Sequence, residues 1–143
     1  MPIVDGKYEA RISTTFATPQ QGTAAIQQEL KRAKRVRISN VPMPLLRELV
    51  PLLRGKDVMI ILPTGEKPSD DLKELGKVAV TKGRIYKNYK GVEALAGAVY
   101  FSDVVFSVAW AGDEILEIAT MEYSKCVKCM KSTFDVGWHY AQK

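Results

Sequence analysis

Residue types that do catalysis and hold metals are scarce in this sequence. Its 143 residues include one histidine, His139, and two cysteines, Cys126 and Cys129. One histidine cannot build a multi-histidine metal centre, and two cysteines three apart are not a disulfide framework. No GxSxG, HExxH or phosphate-cradling glycine loop occurs, which removes the standard hydrolase, zinc-protease and nucleotide-binding signatures. No apolar run approaches the roughly 20 residues that a membrane helix needs. The opening MPIVDGKYEA lacks the basic-then-apolar pattern of a signal peptide. By elimination the expected location is cytoplasmic.

What remains is an ordinary globular composition, 46% hydrophobic and 26% charged, in a length that suits one domain. No internal repeat, linker or low-complexity segment divides it, so residues 1–143 are expected to form a single domain. The net charge of +5 is positive. The cations gather in three stretches: Lys31, Arg32, Lys34, Arg35 and Arg37; Lys82, Arg84, Lys87 and Lys90; and Lys125, Lys128 and Lys131. Clusters of this kind either attract phosphate backbones by counterion release or are solvated faces. Tyr86, Tyr89, Tyr100, Phe101, Phe106 and Trp110 lie near the second cluster. They read either as a stacking platform for single strands or as half-buried sheet.

Hydrophobic periodicity gives an α/β order of elements. Residues 7–16 are rich in β-branched and aromatic types and predict a first strand. TPQQG predicts a turn and helix start, and Ala25, Ile26, Leu30 and Ala33 give helical spacing from Thr23 to Lys34. RVRISNV (35–41) predicts a strand. Pro42 and Pro44 open a helix whose apolar face is Leu45, Leu46, Leu49, Leu52 and Leu53, with a kink expected at Pro51 and a stop at Gly55. DVMIILP (57–63) reads as a strand covered on both faces, completing a βαβ unit with parallel strands. Ser69 is a candidate cap for a helix over Asp70–Leu75. Residues 77–90 supply one or two strands. The stretch VEALAGAVYFSDVVFSVAWAGDEILEIATM predicts two or three antiparallel strands, turning at Ser102-Asp103 and Ala111-Gly112-Asp113. A terminal helix places Val127, Met130, Phe134 and Trp138 on one face. The expected fold class is therefore α/β, with a mixed sheet and a βαβ core flanked by helices.

Few residues suggest chemistry. Asp135 and His139 are four apart and share a helical face, but a surface histidine near a chain end is the plainer reading. Cys126 and Cys129 form CVKC near the start of the terminal helix, where backbone dipoles favour thiolate. The pair supplies half of a tetrahedral zinc site, completed by a twofold-related copy; it toggles to a disulfide; or it packs in the core.

The stretches "ELKRAKRVRISNV" and "LLRELVPLLRGKDVMIILP" resemble the opening of a phospholipase D-like half-domain. In that family a helix and an A-K-x-V-x-I-S strand precede a leucine-rich helix, a G-x-D-V-x-I-I-L-P strand and a later catalytic strand. The family's H-x-K-x4-D motif falls on "AGAVYFSD", with Asp103 at the aspartate and Ala96 and Ala98 where histidine and lysine would stand. Alanine has neither a lone pair to attack phosphorus nor a charge to hold phosphate. The resemblance thus implies a non-catalytic domain. The closing pattern "FSDVVFSVAW…EILEI…KCVKCM…FDVGW" is similar to the sensing modules of archaeal TrmB-like transcription regulators. The resemblance spans roughly residues 8–140. It implies a sensor that binds a small effector or a partner protein in transcription regulation. No winged-helix pattern precedes residue 8, so the sequence offers no obvious DNA reader, and both a DNA-binding regulator and nucleic acid itself stay open as partners. In open α/β sheets ligands gather beyond the carboxyl ends of the strands. That places a candidate pocket at Ser39, Asn40, Pro63 and Thr64, reached by Asp103. A lone half-domain implies a homodimer. An accessory nucleic-acid-binding role through the basic clusters, and a zinc or redox switch at Cys126 and Cys129, are the rival readings.

Overall fold

A computed structural model describes residues 3–4, 7–8, 14–63, 70–83, 95–122 and 124–141. Two short strands, β1 (Ile3–Val4) and β2 (Lys7–Tyr8), pair antiparallel. The remaining strands form one seven-stranded sheet, in which β3 is only Thr14–Thr15. Tyr8 and Thr14 thus belong to different sheets rather than to one strand over residues 7–16.

Helix α1 (Pro19–Arg32) begins four residues before the apolar spacing suggests. Thr18 caps it by accepting a hydrogen bond from the Gln21 N–H at 3.2 Å. Pro19 follows at a first-turn position, where its missing N–H costs nothing. Strand β4 (Arg35–Ser39) ends where Asn40 takes a left-handed φ of 54°. Helix α2 (Met43–Leu53) starts behind Pro42, and Gly55 turns the chain at φ 76°. Strand β5 (Asp57–Leu62) lies parallel to β4 and completes the expected βαβ unit. Helix α3 (Asp70–Gly76) leads to β6 (Val80–Gly83), parallel to β5 at the sheet edge. The candidate cap Ser69 lies outside the described residues.

The second half of the sheet is an antiparallel meander of β7 (Leu95–Tyr100), β8 (Val105–Ala111) and β9 (Glu114–Met121). Strand β7 pairs antiparallel with β4, so the spatial order is β3-β9-β8-β7-β4-β5-β6. The two halves meet between β4 and β7.

Strand alternation divides the apolar side chains between two faces. Val36, Ile38, Val58, Ile60, Val99, Phe106, Val108 and Trp110 join the helix residues Ile26, Leu30, Leu45, Leu46, Leu49, Leu53 and Leu75 in one core. Each fully buried leucine or isoleucine there contributes about 1.5–3 kcal/mol relative to exposure. The opposite face carries Ile61, Ala98, Tyr100 and Val105, packed under Val127 and Phe134 of α4 (Ser124–Tyr140). Helix α4 is pinned at its far end, where the Lys82 ammonium donates to the Trp138 carbonyl at 3.1 Å and sits 4.6 Å from that indole centroid.

The stacking-platform reading fails for the four described aromatics. Tyr100, Phe101, Phe106 and Trp110 are all buried, so none offers a face to a nucleobase. Tyr86 and Tyr89 lie outside the described residues.

Candidate functional site

The end of β4 is the most constrained point of the sheet. Asn40 is only 2% exposed. Its N–H donates to the Ile61 carbonyl at 2.9 Å, its side-chain amide donates to the Ala96 carbonyl at 2.9 Å, and the Trp110 indole N–H donates to its carbonyl at 2.7 Å. Three strands and their crossing point are thereby tied to one residue. Its positive φ suits asparagine, one of the few side chains that tolerate the left-handed region. Asn40 Oδ1 has no hydrogen-bond partner among the described residues. Pro63 follows β5 at the same end and is buried, while Ser39 is half-buried. The structure therefore brings Ser39, Asn40 and Pro63 together; Thr64 lies outside the described residues.

Asp103 is not there. Because β7 runs antiparallel to β4, Tyr100 sits opposite Arg37 and the β7–β8 turn lies at the other end of the sheet. Asp103 is exposed in that turn and acts electrostatically on Arg32, at the close of α1. It cannot reach a pocket at Asn40, and that part of the expected site is withdrawn.

Ala96 and Ala98 do belong to the Asn40 end. Ala98 pairs with Ser39 on one side and Ser107 on the other, and Ala96 pairs with Ala109. Paired residues share a face, and alternation puts Ala96 with Ala98 on the α4 side. Around the two alanines this face thus carries Ser39, Ser107 and Ala109, none of them a base or a cation. Ala98 is 6% exposed, packed with Ile61 and Val127, while Ala96 is exposed.

Helix α4 starts at Ser124, which sets Cys126 in its first turn and Cys129 in its second. Cys129 is a free, exposed thiol. No group of three or more metal-ligating side chains gathers among the described residues. His139 is exposed, meets the Tyr140 ring edge-on at 5.0 Å, and forms no ion pair with Asp135.

A concavity at the other end of the sheet escapes sequence reasoning. Arg35, Arg37, Tyr100, Phe101, Ser102, Lys131, Phe134 and Asp135 line a cavity of about 170 Å³ between β4, the β7–β8 turn and α4. Arg37 is its fixed charge, with a side chain only 11% exposed. Its guanidinium grips both carboxylate oxygens of Asp57 at 3.2 Å and also donates to the Val36 and Asp57 carbonyls at 3.0 Å. The hydrogen bonds from Arg37 hold the Asp57 carboxyl below the usual carboxylate range, with the charges of Arg37 and Arg35 adding to the effect and partial desolvation opposing it. The alternation in R-V-R-I-S was the available signal, since it sends both arginines to the α4 face.

The seven-stranded mixed sheet with its βαβ core and helices on both faces has the fold of solved phospholipase D-like structures. Among solved structures, NucT from Helicobacter pylori superposes with a TM-score of 0.66 at 13% identity, covering 91% of this chain and 97% of that one. Nuc from Salmonella typhimurium, a phospholipase D family member, gives 0.60 at 12% identity, covering 91% and 95%. TrmBL2, an archaeal chromatin protein described as having a novel mode of DNA binding, gives 0.62 at 13% identity. That match covers 94% of this chain, which spans only 55% of the TrmBL2 chain. No protein-family model and no curated protein sequence matches. The neighbours therefore include both a phospholipase D family member and a chromatin protein on the same fold.

Proposed function

We propose that this chain is a non-catalytic phospholipase D-like module that senses a small effector within a regulatory, nucleic-acid-related system. The observation that carries this reading is the alanine pair. On the motif placement that the resemblance implies, Ala96 and Ala98 stand where that family keeps its nucleophile and its phosphate-holding lysine. Ser39, Ser107 and Ala109 around them supply no substitute. Without an attacking lone pair the reaction has no covalent route, and without the cation the developing charge has no partner.

The effector site of this reading is the Asn40 end of the sheet, with Ser39 and Pro63. Support comes from Asn40 Oδ1, a buried acceptor without a partner among the described residues. A buried unpaired acceptor costs about 1–3 kcal/mol, so this end of the sheet holds a polar group that a donor admitted by local opening would satisfy. The likeness to a DNA-binding chromatin protein supports the regulatory setting. A homodimer also belongs to this reading, since a half-domain leaves one face without its fused partner; Val136 and Tyr140, exposed on consecutive turns of α4, offer apolar contact area.

The test is an amide NMR titration of the full chain with sugars, sugar phosphates and nucleotides. Saturable shifts centred on Ser39, Asn40 and their strand neighbours support the reading. Shifts absent from that end across the whole set contradict it.

A further inference from the structure

The cavity at the opposite end of the sheet has a chemistry of its own. It is lined by three cations, Arg35, Arg37 and Lys131, against one carboxylate, Asp135. The cations play unequal parts. Arg37 spends its donors on Asp57 and two backbone carbonyls, so its charge is answered by that carboxylate and it braces the wall rather than offering a free fork. Arg35 only grazes Asp57, at 3.9 Å, and is 68% exposed. Lys131 is half-buried and forms no ion pair among the described residues, not even with Asp135 one turn on. Two cations with donors to spare thus face a cavity whose wall is the edge-to-face pair Tyr100–Phe134, centroids 5.5 Å apart. Ser102 adds a hydroxyl at the rim.

Size narrows the occupant. Pockets for drug-sized ligands run from roughly 300 to 1,000 Å³. At about 170 Å³ this cavity admits a single small anionic group. Its surroundings extend the charge: Lys34 is exposed immediately before Arg35, and Lys128 is exposed one turn before Lys131. Two basic stretches that lie about a hundred residues apart in the chain converge on one spot.

We propose that this cavity is a phosphate-binding site, taking either the phosphate of a small phosphomonoester or one backbone phosphate of a nucleic acid. Arg35 and Lys131 hold the phosphate oxygens, Ser102 donates at the rim, and the Arg37–Asp57 pair braces the wall behind them. The site stands apart from the Asn40 end, so either one can fail without the other.

The full chain is titrated with inorganic phosphate, adenosine monophosphate and a single-stranded oligonucleotide, reading amide shifts and affinity. The comparison is between wild type, R35E/K131E, and K73E plus K77E, which makes the same charge change on and beside α3. The proposal expects shifts at Arg35, Ser102 and Lys131. It also expects at least about a tenfold loss of affinity in R35E/K131E, with K73E/K77E within about twofold of wild type. Oligonucleotide binding that phosphate displaces identifies a backbone phosphate; phosphate or monophosphate binding without oligonucleotide binding identifies a small phosphomonoester. Wild-type titrations that leave the three amides unmoved overturn the proposal. So does an equal loss in both charge variants, which would reduce the effect to net charge. Should R35E/K131E not fold, the wild-type shifts decide the matter.

Discussion

A Cβ added to Gly97 would collide with the carbonyl oxygen of Asn40. The same oxygen accepts the Trp110 indole N–H. The close approach follows from the left-handed turn at Asn40, which swings its carbonyl toward β7. Gly97→Ala must therefore move backbone, because no flexible side chain is there to yield. The variant is expected to lose at least about 2 kcal/mol, measured by urea unfolding. A loss under about 0.5 kcal/mol would mean that β4 and β7 are not this close.

The conformation and the hydrogen bonds of Asn40 can be separated. Asn40→Gly keeps the positive φ and loses the bond to the Ala96 carbonyl, whereas Asn40→Ala loses the bond and strains the backbone as well. Alanine is expected to be less stable than glycine by about 1 kcal/mol. Equal stabilities would remove the left-handed turn from the account.

Asp57 links stability to pH. Its carboxyl is held below the ordinary range in the folded chain, chiefly by the hydrogen bonds from Arg37. A depressed folded pKa adds stability above the unfolded value and withdraws it as pH falls through the folded one. The stability gap between wild type and Asp57→Asn should accordingly be present near neutral pH. It should close as the pH drops from about 5 toward about 2. Thermal unfolding across that range checks it; a gap that widens in acid would reverse the sign and refute the assignment.

The dimer makes a separate prediction. If Val136 and Tyr140 are covered by a second copy, Val136→Glu and Tyr140→Glu should shift sedimentation from dimer to monomer without lowering the melting temperature of the isolated fold. A monomeric wild type at about 100 µM, weaker than any functional dimer this reading allows, would discard the dimer.

Elements whose signal is local were legible in the sequence. The run DVMIIL is apolar on both faces because β5 lies between two parallel neighbours and is covered by α2 on one side and α4 on the other. The leucines of α2 repeat on one face because that face is buried. The start of α1 was less clear, since a capping threonine and a first-turn proline look like a turn when read alone. The parallel pairing of β4 with β5 and the antiparallel run from β7 to β9 were legible, but the direction of β7 against β4 was not. Nothing in AGAVYFSD states that β7 runs against β4, and that reversal carries Asp103 away from Asn40 while keeping Ala96 and Ala98 beside it. The basic cavity was hidden for a similar reason. Arg37 reads as a solvated charge until Asp57, twenty residues later, is laid alongside it by parallel pairing. Lys131 joins them only once α4 has crossed the sheet.

On the proposed reading, Ala96 and Ala98 leave this chain without phosphodiesterase chemistry of the family type. The direct measurement is turnover of labelled DNA and of bis(p-nitrophenyl) phosphate by the purified full chain, across about pH 5 to 9, where an imidazole nucleophile would titrate. Hydrolysis no faster than the buffer blank is expected at every pH. Hydrolysis that rises in proportion to protein and follows the protein peak through gel filtration would contradict it.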